Sequence, residues 1–309
     1  MIQYFYLLFV YTSLLPLNSF ELDKQSDNIL FIGHAYGSPL FDDEKMDLSV
    51  INFLKNNSTK KYKFIVWGGD FIDNCNNSNE VKNFYNSIPS EVFEKSIFIW
   101  GNHELKCYDN DVLAFVRKDE NKVINLHGFD IYFLNTNLDS ISNTYPILKQ
   151  INTSKKKILF THQVIFSKSN WILRTNSRDF YDQANLFFDK INLDKDLTIV
   201  TGDVGAIKGT PSLSYYKKND ANLLSSGLGN GNQNFAIEIE LNPQEIKFYK
   251  LNLDNNESKL LTPSFYPITI YNFIYYFFLS KKRALIFFLI LGFIISFKKI
   301  NYFTKKILK

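Results

Sequence analysis

Five short polar motifs each follow a hydrophobic run. Three of the four histidines in the sequence lie in these motifs. The motifs are Gly33-His34-Ala35-Tyr36-Gly37, Gly69-Asp70, Gly101-Asn102-His103-Glu104, Thr161-His162 and Gly202-Asp203-Val204-Gly205. The carboxylate of Asp70, the amide oxygen of Asn102 and the imidazole of His162 suit a divalent ion such as Mn, Fe or Zn. We therefore predict a metal site, against the alternative that these polar residues only cap strands.

His103 stands beside Asn102 and has a separate role in this interpretation. An imidazole can donate a proton to a leaving oxygen near neutral pH, so we assign His103 as a general acid. We expect Glu104 and Asp73 to orient the reacting and metal-binding groups by hydrogen bonds.

The hydrophobic runs predict buried strands, because they are short, β-branched or aromatic, and end at glycine or polar residues. They are Ile29–Ile32, Phe64–Trp67, Ile97–Trp100, Ile158–Phe160 and Leu197–Val200. Lys45–Asn56 and Asn79–Tyr85 are long enough for crossover helices, which indicates an α/β fold. Phe235–Leu241 and Glu245–Leu251 predict a hairpin. Ligands gather at the carboxyl ends of strands in α/β sheets, and every polar motif falls there.

This pattern resembles the calcineurin-like metallophosphoesterase superfamily over about residues 28–255. The family has Asp-x-His-Gly, Gly-Asp, Gly-Asn-His-Asp/Glu, a lone His and Gly-His-x-His. The resemblance implies an α/β, two-sheet sandwich flanked by helices. It also implies that Asp70 bridges two metals and takes part in catalysis, that Asn102 and His162 bind the second metal, and that His103 is the acid contacting phosphate.

The first and fifth motifs depart from the family pattern. His34 replaces an aspartate and Asp203 replaces a histidine, so both positions keep groups that can bind metal. Tyr36 stands where the family has a histidine and would be a poor ligand for most divalent ions. The resemblance therefore implies metal ligands at His34, Asp70, Asn102, His162 and Asp203, with a reduced first site and one or two ions.

Two functions are compatible with this altered site. The first is a metal-dependent phosphoester hydrolase, in which the metal activates a water that attacks phosphorus. The second is a non-catalytic binding protein that keeps the fold and one or no ion. We favour the enzyme because a bare scaffold has no evident need for an acid such as His103. Arg174 and Arg178 are candidate phosphate contacts, although surface arginines are an equal alternative.

Charge and cysteine content limit the classes of protein to which this chain can belong. The net charge is +4, and dispersed lysines form no basic stripe, so we expect no nucleic-acid-binding surface. No acidic residue follows Glu257, whereas nine lysines and arginines do, which suggests a membrane-facing tail. An exported domain would permit a disulfide between Cys75 and Cys107, but we expect two separate buried thiols.

The two ends predict targeting and membrane segments. Residues 1–20 carry no charged side chain and suit a signal peptide or N-terminal anchor, or else a buried first strand. Residues 260–280 and 284–297 are uncharged runs separated by three cations, and either could span a bilayer. We expect a metallophosphoesterase domain at 27–255 and a membrane-associated C-terminal segment at 264–303. The positive-inside rule then places the folded domain on the extracytoplasmic side of a single-pass membrane protein.

Overall fold

The computed structural model describes residues 27–36, 46–56, 58–107, 113–136, 147–165, 188–204, 212–228, 234–263, 285–286 and 288–290. Its strands are β1 (Asn28–Ile32), β2 (Tyr62–Trp67), β3 (Ser96–Phe98), β4 (Lys122–Leu126), β5 (Phe129–Leu134), β6 (Lys157–Thr161), β7 (Leu197–Thr201), β8 (Leu213–Lys218), β9 (Ala221–Ser226), β10 (Phe235–Leu241), β11 (Ile246–Asn252) and β12 (Ser258–Leu260). The helices are α1 (Leu48–Lys55), α2 (Ser78–Ser87), α3 (Ser90–Phe93) and α4 (Ala114–Asp119), with 3-10 turns at Ser58–Lys61 and Glu104–Cys107. Residues 147–153 are also helical.

These strands form two six-stranded sheets. The first has the order β12-β11-β10-β1-β2-β3, and the second has the order β4-β5-β6-β7-β9-β8. In the first sheet β1, β2 and β3 are parallel, and β10 runs antiparallel to β1. In the second sheet β5, β6, β7 and β9 are parallel. Each sheet therefore has a parallel centre, which requires crossover connections such as α1 between β1 and β2.

A hydrophobic layer fills the space between the sheets. Phe31 of β1 stacks on Phe160 of β6 with ring centroids 5.5 Å apart, and Phe133 of β5 stacks on the same ring at 5.5 Å. Separate apolar clusters cover the outer faces, where α1 buries Val50 and Phe53 against the first sheet. The predicted α/β sandwich of two sheets flanked by helices is confirmed.

The carboxyl ends of the parallel strands meet at one edge of this sandwich. The backbone N–H of Gly68, after β2, donates to Ile32 O of β1 at 2.8 Å. Gly202, after β7, packs directly on the same loop, because a Cβ at this position would lie 2.0 Å from Gly68 O. Only a glycine permits this approach, which brings the motif-bearing ends of the two sheets together.

The sequence-based elements agree well with the structure. The five predicted strands, the crossover helices and the β10–β11 hairpin are confirmed, but the third strand ends at Phe98, before the predicted Trp100. Residues 1–20 lie outside the described part of the chain, as does most of 264–303. Among the described residues, we find no helix with the length and apolar character needed to cross a membrane.

Candidate metal centre

Asp70 occupies the middle of the site, in the loop that follows β2. Its side chain is fully buried, and its backbone has a φ of 52°, in the left-handed region that non-glycine residues seldom adopt. His34, which follows β1, has a similar φ of 51°. The two loops are joined by His34 N donating to Gly69 O at 3.2 Å. Unusual backbone conformations of this kind cluster at functional sites.

His162 presents one nitrogen to the site in a fixed tautomer. Its Nδ1 lies 2.8 Å from Gly68 O, and a carbonyl oxygen can only accept, so Nδ1 carries the proton. In the neutral ring, the lone pair of Nε2 then faces three oxygens: Asn102 Oδ1 at 3.0 Å, Asp70 Oδ1 at 3.5 Å and Asp203 Oδ1 at 4.0 Å. Lone pairs that face one another repel, and a shared proton or cation removes the repulsion.

The residues present fit a divalent ion. Ligands about 2.1 Å from an ion lie about 3.0–4.2 Å from each other in tetrahedral or octahedral geometry, and the three distances fall in that range. Among the described residues, Asp70, His162 and Asp203 form a group of candidate ligands whose atoms lie within 4.8 Å of one another. Their carboxylate and imidazole groups, with the amide of Asn102, suit Mn, Fe or Zn.

The protonation of these groups is shaped by burial and by their neighbours. Burial raises the pKa of Asp203 to about 7, although His162 opposes the shift. Burial also disfavours the ionised form of Asp70, but the imidazoles of His162, His34 and His103 outweigh it and lower the Asp70 pKa. The pKa of His162 is raised, because Asp70 and Asp203 overcome the opposing effect of burial. The site therefore attracts positive charge.

The second oxygen of Asp70 faces a different set of groups. Asp70 Oδ2 is buried and accepts no hydrogen bond from the described residues; it lies 3.6 Å from His34 Nε2 and 4.0 Å from His103 Nε2. Tyr36 lies between these imidazoles, with ring centroids 4.4 Å from His34 and 5.0 Å from His103. Burial and nearby carboxylates raise the Tyr36 pKa well above its usual range, which favours the neutral phenol.

His103 is oriented by Asp73. His103 Nδ1 lies 2.9 Å from the Asp73 Oδ1 carboxylate oxygen and 2.7 Å from the Asp73 backbone oxygen, so Nδ1 donates and Nε2 points towards Asp70. The His103 side chain is 18% exposed, whereas Asp70 is fully buried, so His103 can meet a ligand from solvent. This arrangement suits a group that exchanges a proton at Nε2.

Glu104 joins the motif loop that follows β2 to the motif loop that follows β3. Its Oε2 accepts from Asp70 N at 2.9 Å and Gly101 N at 3.0 Å, and its Oε1 accepts from Phe71 N at 2.7 Å and Ile72 N at 2.9 Å. Burial and the Asp70 carboxylate raise the Glu104 pKa to about 7, against these four donors, which favour the anion. Asp70 Oδ1 also accepts from His103 N at 3.1 Å.

A disulfide joins Cys75 to Cys107, so our expectation of two separate buried thiols was wrong. Cys75 follows Asp73 by two residues, and Cys107 ends the 3-10 turn that begins at Glu104. The sulfur of Cys75 lies 3.6 Å from the backbone oxygen of His103. Each cysteine follows a motif loop, and the Glu104 hydrogen bonds hold these two loops together, which makes the disulfide possible.

Sequence reasoning missed Glu80, in the first turn of α2. Its Oε1 accepts from Asp73 N and Asn74 N, and so it fixes the loop that carries the partner of His103. A signal was available: Asn77 caps α2, and a Glu three residues after an N-cap is the mark of a capping box. Here the carboxylate reaches further back than a capping box requires. The candidate phosphate contacts Arg174 and Arg178 lie outside the described residues.

Three solved structures similar to this one illustrate the fold. GAP50, the anchor in the inner membrane complex of Plasmodium, aligns with a TM-score of 0.50 and 16% identity over 78% of this chain and 90% of its own. A predicted phosphoesterase from Streptococcus pneumoniae aligns with a TM-score of 0.37 and 12% identity, over 76% of this chain and 97% of its own. Vps29 from Entamoeba histolytica complexed with Zn²⁺ gives the same TM-score, identity and coverage. At such identities the likeness concerns the fold alone.

No curated protein matches this sequence. The sequence pattern of the calcineurin-like phosphoesterases, however, matches residues 43–227, which is more than half of the 309 residues. The matched range includes Asp70, Asn102, His103, His162 and Asp203. The family match thus agrees with the two-sheet architecture and with the buried Asp–His–Asp group at the strand ends. This chain belongs to the calcineurin-like phosphoesterase family.

Proposed function

We propose that the protein is a metal-dependent phosphoester hydrolase. The observation that carries this proposal is the convergence of Asp70, Asn102, His162 and Asp203 on one point, with His103 beside it. A divalent ion held by these four residues would supply a Lewis acid that activates water and offsets charge on a phosphoryl oxygen. The expected ions are Mn, Fe or Zn.

The chain's own residues would position the substrate and move a proton. Asp73 holds Nδ1 of His103, so that Nε2 faces the reacting phosphate and can protonate the leaving oxygen. Glu104 keeps Asp70 and Gly101 at a fixed separation, which limits reorganisation during the reaction. The substrate class is a phosphorylated compound, either a monoester or a diester.

The alternative is a binding protein that retains the fold without turnover. The observation that favours it is the altered first motif, where His34 and Tyr36 replace the usual Asp-x-His pattern. We favour the hydrolase because the His103–Asp73 pair has the geometry of a proton donor and is still partly open to solvent. A binding protein would associate with its partner without releasing phosphate.

We also propose a membrane tether at the C-terminus, within 264–303, and a signal peptide or anchor at 1–20. Leu285, Ile286 and residues 288–290 are helical, and each of these apolar side chains is more than half exposed. Such exposure is unfavourable in water and suits a lipid or protein environment. The disulfide supports placing the folded domain in an oxidising compartment, on the extracytoplasmic side.

The test uses the full-length chain purified in detergent, loaded in turn with Mn, Fe or Zn. We expect hydrolysis in a panel of phosphomonoesters and phosphodiesters, and its loss in Asp70→Asn and in His103→Ala. Absence of both bound metal and turnover would exclude the hydrolase, and full activity in both variants would refute the site assignment. A reporter fused after Lys309 should lie in the cytoplasm; an external reporter would contradict the topology.

A further inference from the structure

We propose that this centre binds a single divalent ion, on the Oδ1 side of Asp70, and that His34, Tyr36 and His103 fill the Oδ2 side without a second ion. The inference rests on the proposed function only in taking Asp70 as a metal ligand. It concerns how many ions the site holds, which is a property separate from turnover.

The Oδ1 side has a complete set of ligands. Nε2 of His162 is aimed at this side by the bond from Nδ1 to Gly68 O. Oxygens of Asn102, Asp70 and Asp203 surround that nitrogen at 3.0, 3.5 and 4.0 Å. Four protein ligands are enough to define a site for a divalent ion.

On the Oδ2 side, the described residues that approach Asp70 are two imidazoles. His34 Nε2 and His103 Nε2 each approach Asp70 Oδ2, at 3.6 and 4.0 Å. Asp70, His34 and His103 nevertheless do not form a second cluster. Among the described residues, the group of candidate ligands within 4.8 Å of one another is Asp70, His162 and Asp203. His34 and His103 therefore do not join Asp70 in a group as compact as the one on the Oδ1 side.

The groups on the Oδ2 side also contact one another. Tyr36 places its hydroxyl 3.4 Å from His103 Nε2, and its ring packs against both imidazoles. The other nitrogen of His103 is held by Asp73. An ion on this side would have to displace the Tyr36–His103 contact and draw the two imidazoles together.

The backbone opposes such a rearrangement. His34 N donates to Gly69 O at 3.2 Å, and Tyr36 N donates to Asp70 O at 3.3 Å, so the loop after β1 is fixed to the loop that carries Asp70. Ala35 and His34 are buried at 0% and 1% exposure. A large movement of His34 towards His103 would have to break these hydrogen bonds and open the packing around them.

The test counts ions. The full-length chain, stripped of metal in detergent, is titrated with Mn²⁺ and with Zn²⁺ by calorimetry, and bound metal is measured by elemental analysis after dialysis. We expect one ion per chain in the unaltered protein, and also in Tyr36→Phe, because the backbone hydrogen bonds that fix His34 and position 36 remain when the hydroxyl is removed. We expect loss of that ion in His162→Ala.

A gain-of-site variant provides the opposite test. His34→Asp with Tyr36→His places two ligand groups on the Oδ2 side, and aspartate tolerates the left-handed backbone at position 34. We expect this double variant to bind two ions. Circular dichroism and a melting curve would establish that each variant folds, and the count in the unaltered chain does not depend on any variant folding.

The outcomes separate this inference from the proposed function. Two ions per chain in the unaltered protein, falling to one in His34→Ala, would overturn the single-ion inference even if the protein hydrolyses phosphoesters. One ion without turnover on any ester would support the inference and count against the hydrolase. Absence of tight binding by Mn²⁺, Zn²⁺ and also Fe²⁺ would overturn both.

Discussion

His103 Nδ1 lies 2.9 Å from Asp73 Oδ1 and 2.7 Å from the backbone oxygen of the same residue. This double contact decides which nitrogen of His103 faces the site, because both oxygens accept from Nδ1. A proton can then be exchanged only at Nε2, on the side of Asp70. The pair therefore links a loop after β2 to the proposed acid.

Asp73→Asn should lower kcat by about 10–100-fold, because the amide can rotate to present a donor to Nδ1 and so disturb the tautomer and orientation of His103. His103→Ala should cost about 10²–10⁴-fold, the usual contribution of a general acid. Neither variant should change the number of ions bound. The control is Asp254→Asn, on an exposed turn. Steady-state kinetics checks the prediction, and an unchanged kcat in His103→Ala would contradict the assignment.

Metal affinity should fall as pH falls below about 7. Burial raises the Asp203 pKa to about 7 and neighbouring carboxylates raise that of His162, so both hold protons over a wider range than in the unfolded chain. An ion must displace those protons, and each proton released weakens binding by up to about tenfold per pH unit. Calorimetry with Mn²⁺ between about pH 8 and pH 6 would measure this slope.

The metal-free protein should respond to pH in the opposite sense. A carboxyl whose folded pKa is raised binds more protons when folded, so the Asp203 contribution lowers stability as pH rises from 3.8 towards about 7. Asp203→Asn should remove that contribution and should also flatten the pH dependence of Mn²⁺ affinity. Identical slopes in the variant and the unaltered protein would show that Asp203 does not exchange its proton for the ion.

Much of the fold was predictable, because short apolar runs that end at glycine or polar residues indicate buried strands. β1, β2, β6 and β7 coincide closely with apolar runs that are buried on both faces. The end of β3 was less predictable: Ile99 and Trp100 are as apolar as the strand before them, and both are buried, yet they lie beyond its last residue. A buried apolar segment that follows a strand therefore has the same sequence pattern as the strand itself.

The site was partly predictable for a different reason. Asp70, Asn102 and His162 follow strand ends, and parallel topology brings strand ends together. The bond between Cys75 and Cys107 depends on how the loops pack, which periodicity does not report. The loops are positioned by Glu104, whose four backbone partners follow two different strands. Such long-range contacts follow from the complete fold and have no local sequence signal.

The disulfide should contribute to stability by restricting the unfolded chain. It spans a sequence separation of 32 residues, and a loop of that size corresponds to roughly 3–4 kcal/mol in the chain-entropy description. Cys75→Ser with Cys107→Ser should lower the free energy of unfolding by that amount. Reductant should lower the stability of the unaltered protein in urea and leave the variant unchanged. Two reactive thiols in the denatured, unreduced protein would contradict the bond.

Glu104→Gln should be strongly destabilising and should impair metal binding, although the two side chains have nearly the same shape. Four backbone N–H groups at 2.7–3.0 Å require four acceptor positions, and an amide NH₂ would place donors against two of them. Leaving buried donors unpaired costs about 1–3 kcal/mol each, so we expect a loss of about 3 kcal/mol or more. Glu94→Gln, at an exposed position, is the control. Urea unfolding measures the loss, and a change below about 1 kcal/mol would show that Glu104 does not hold the motif loops together.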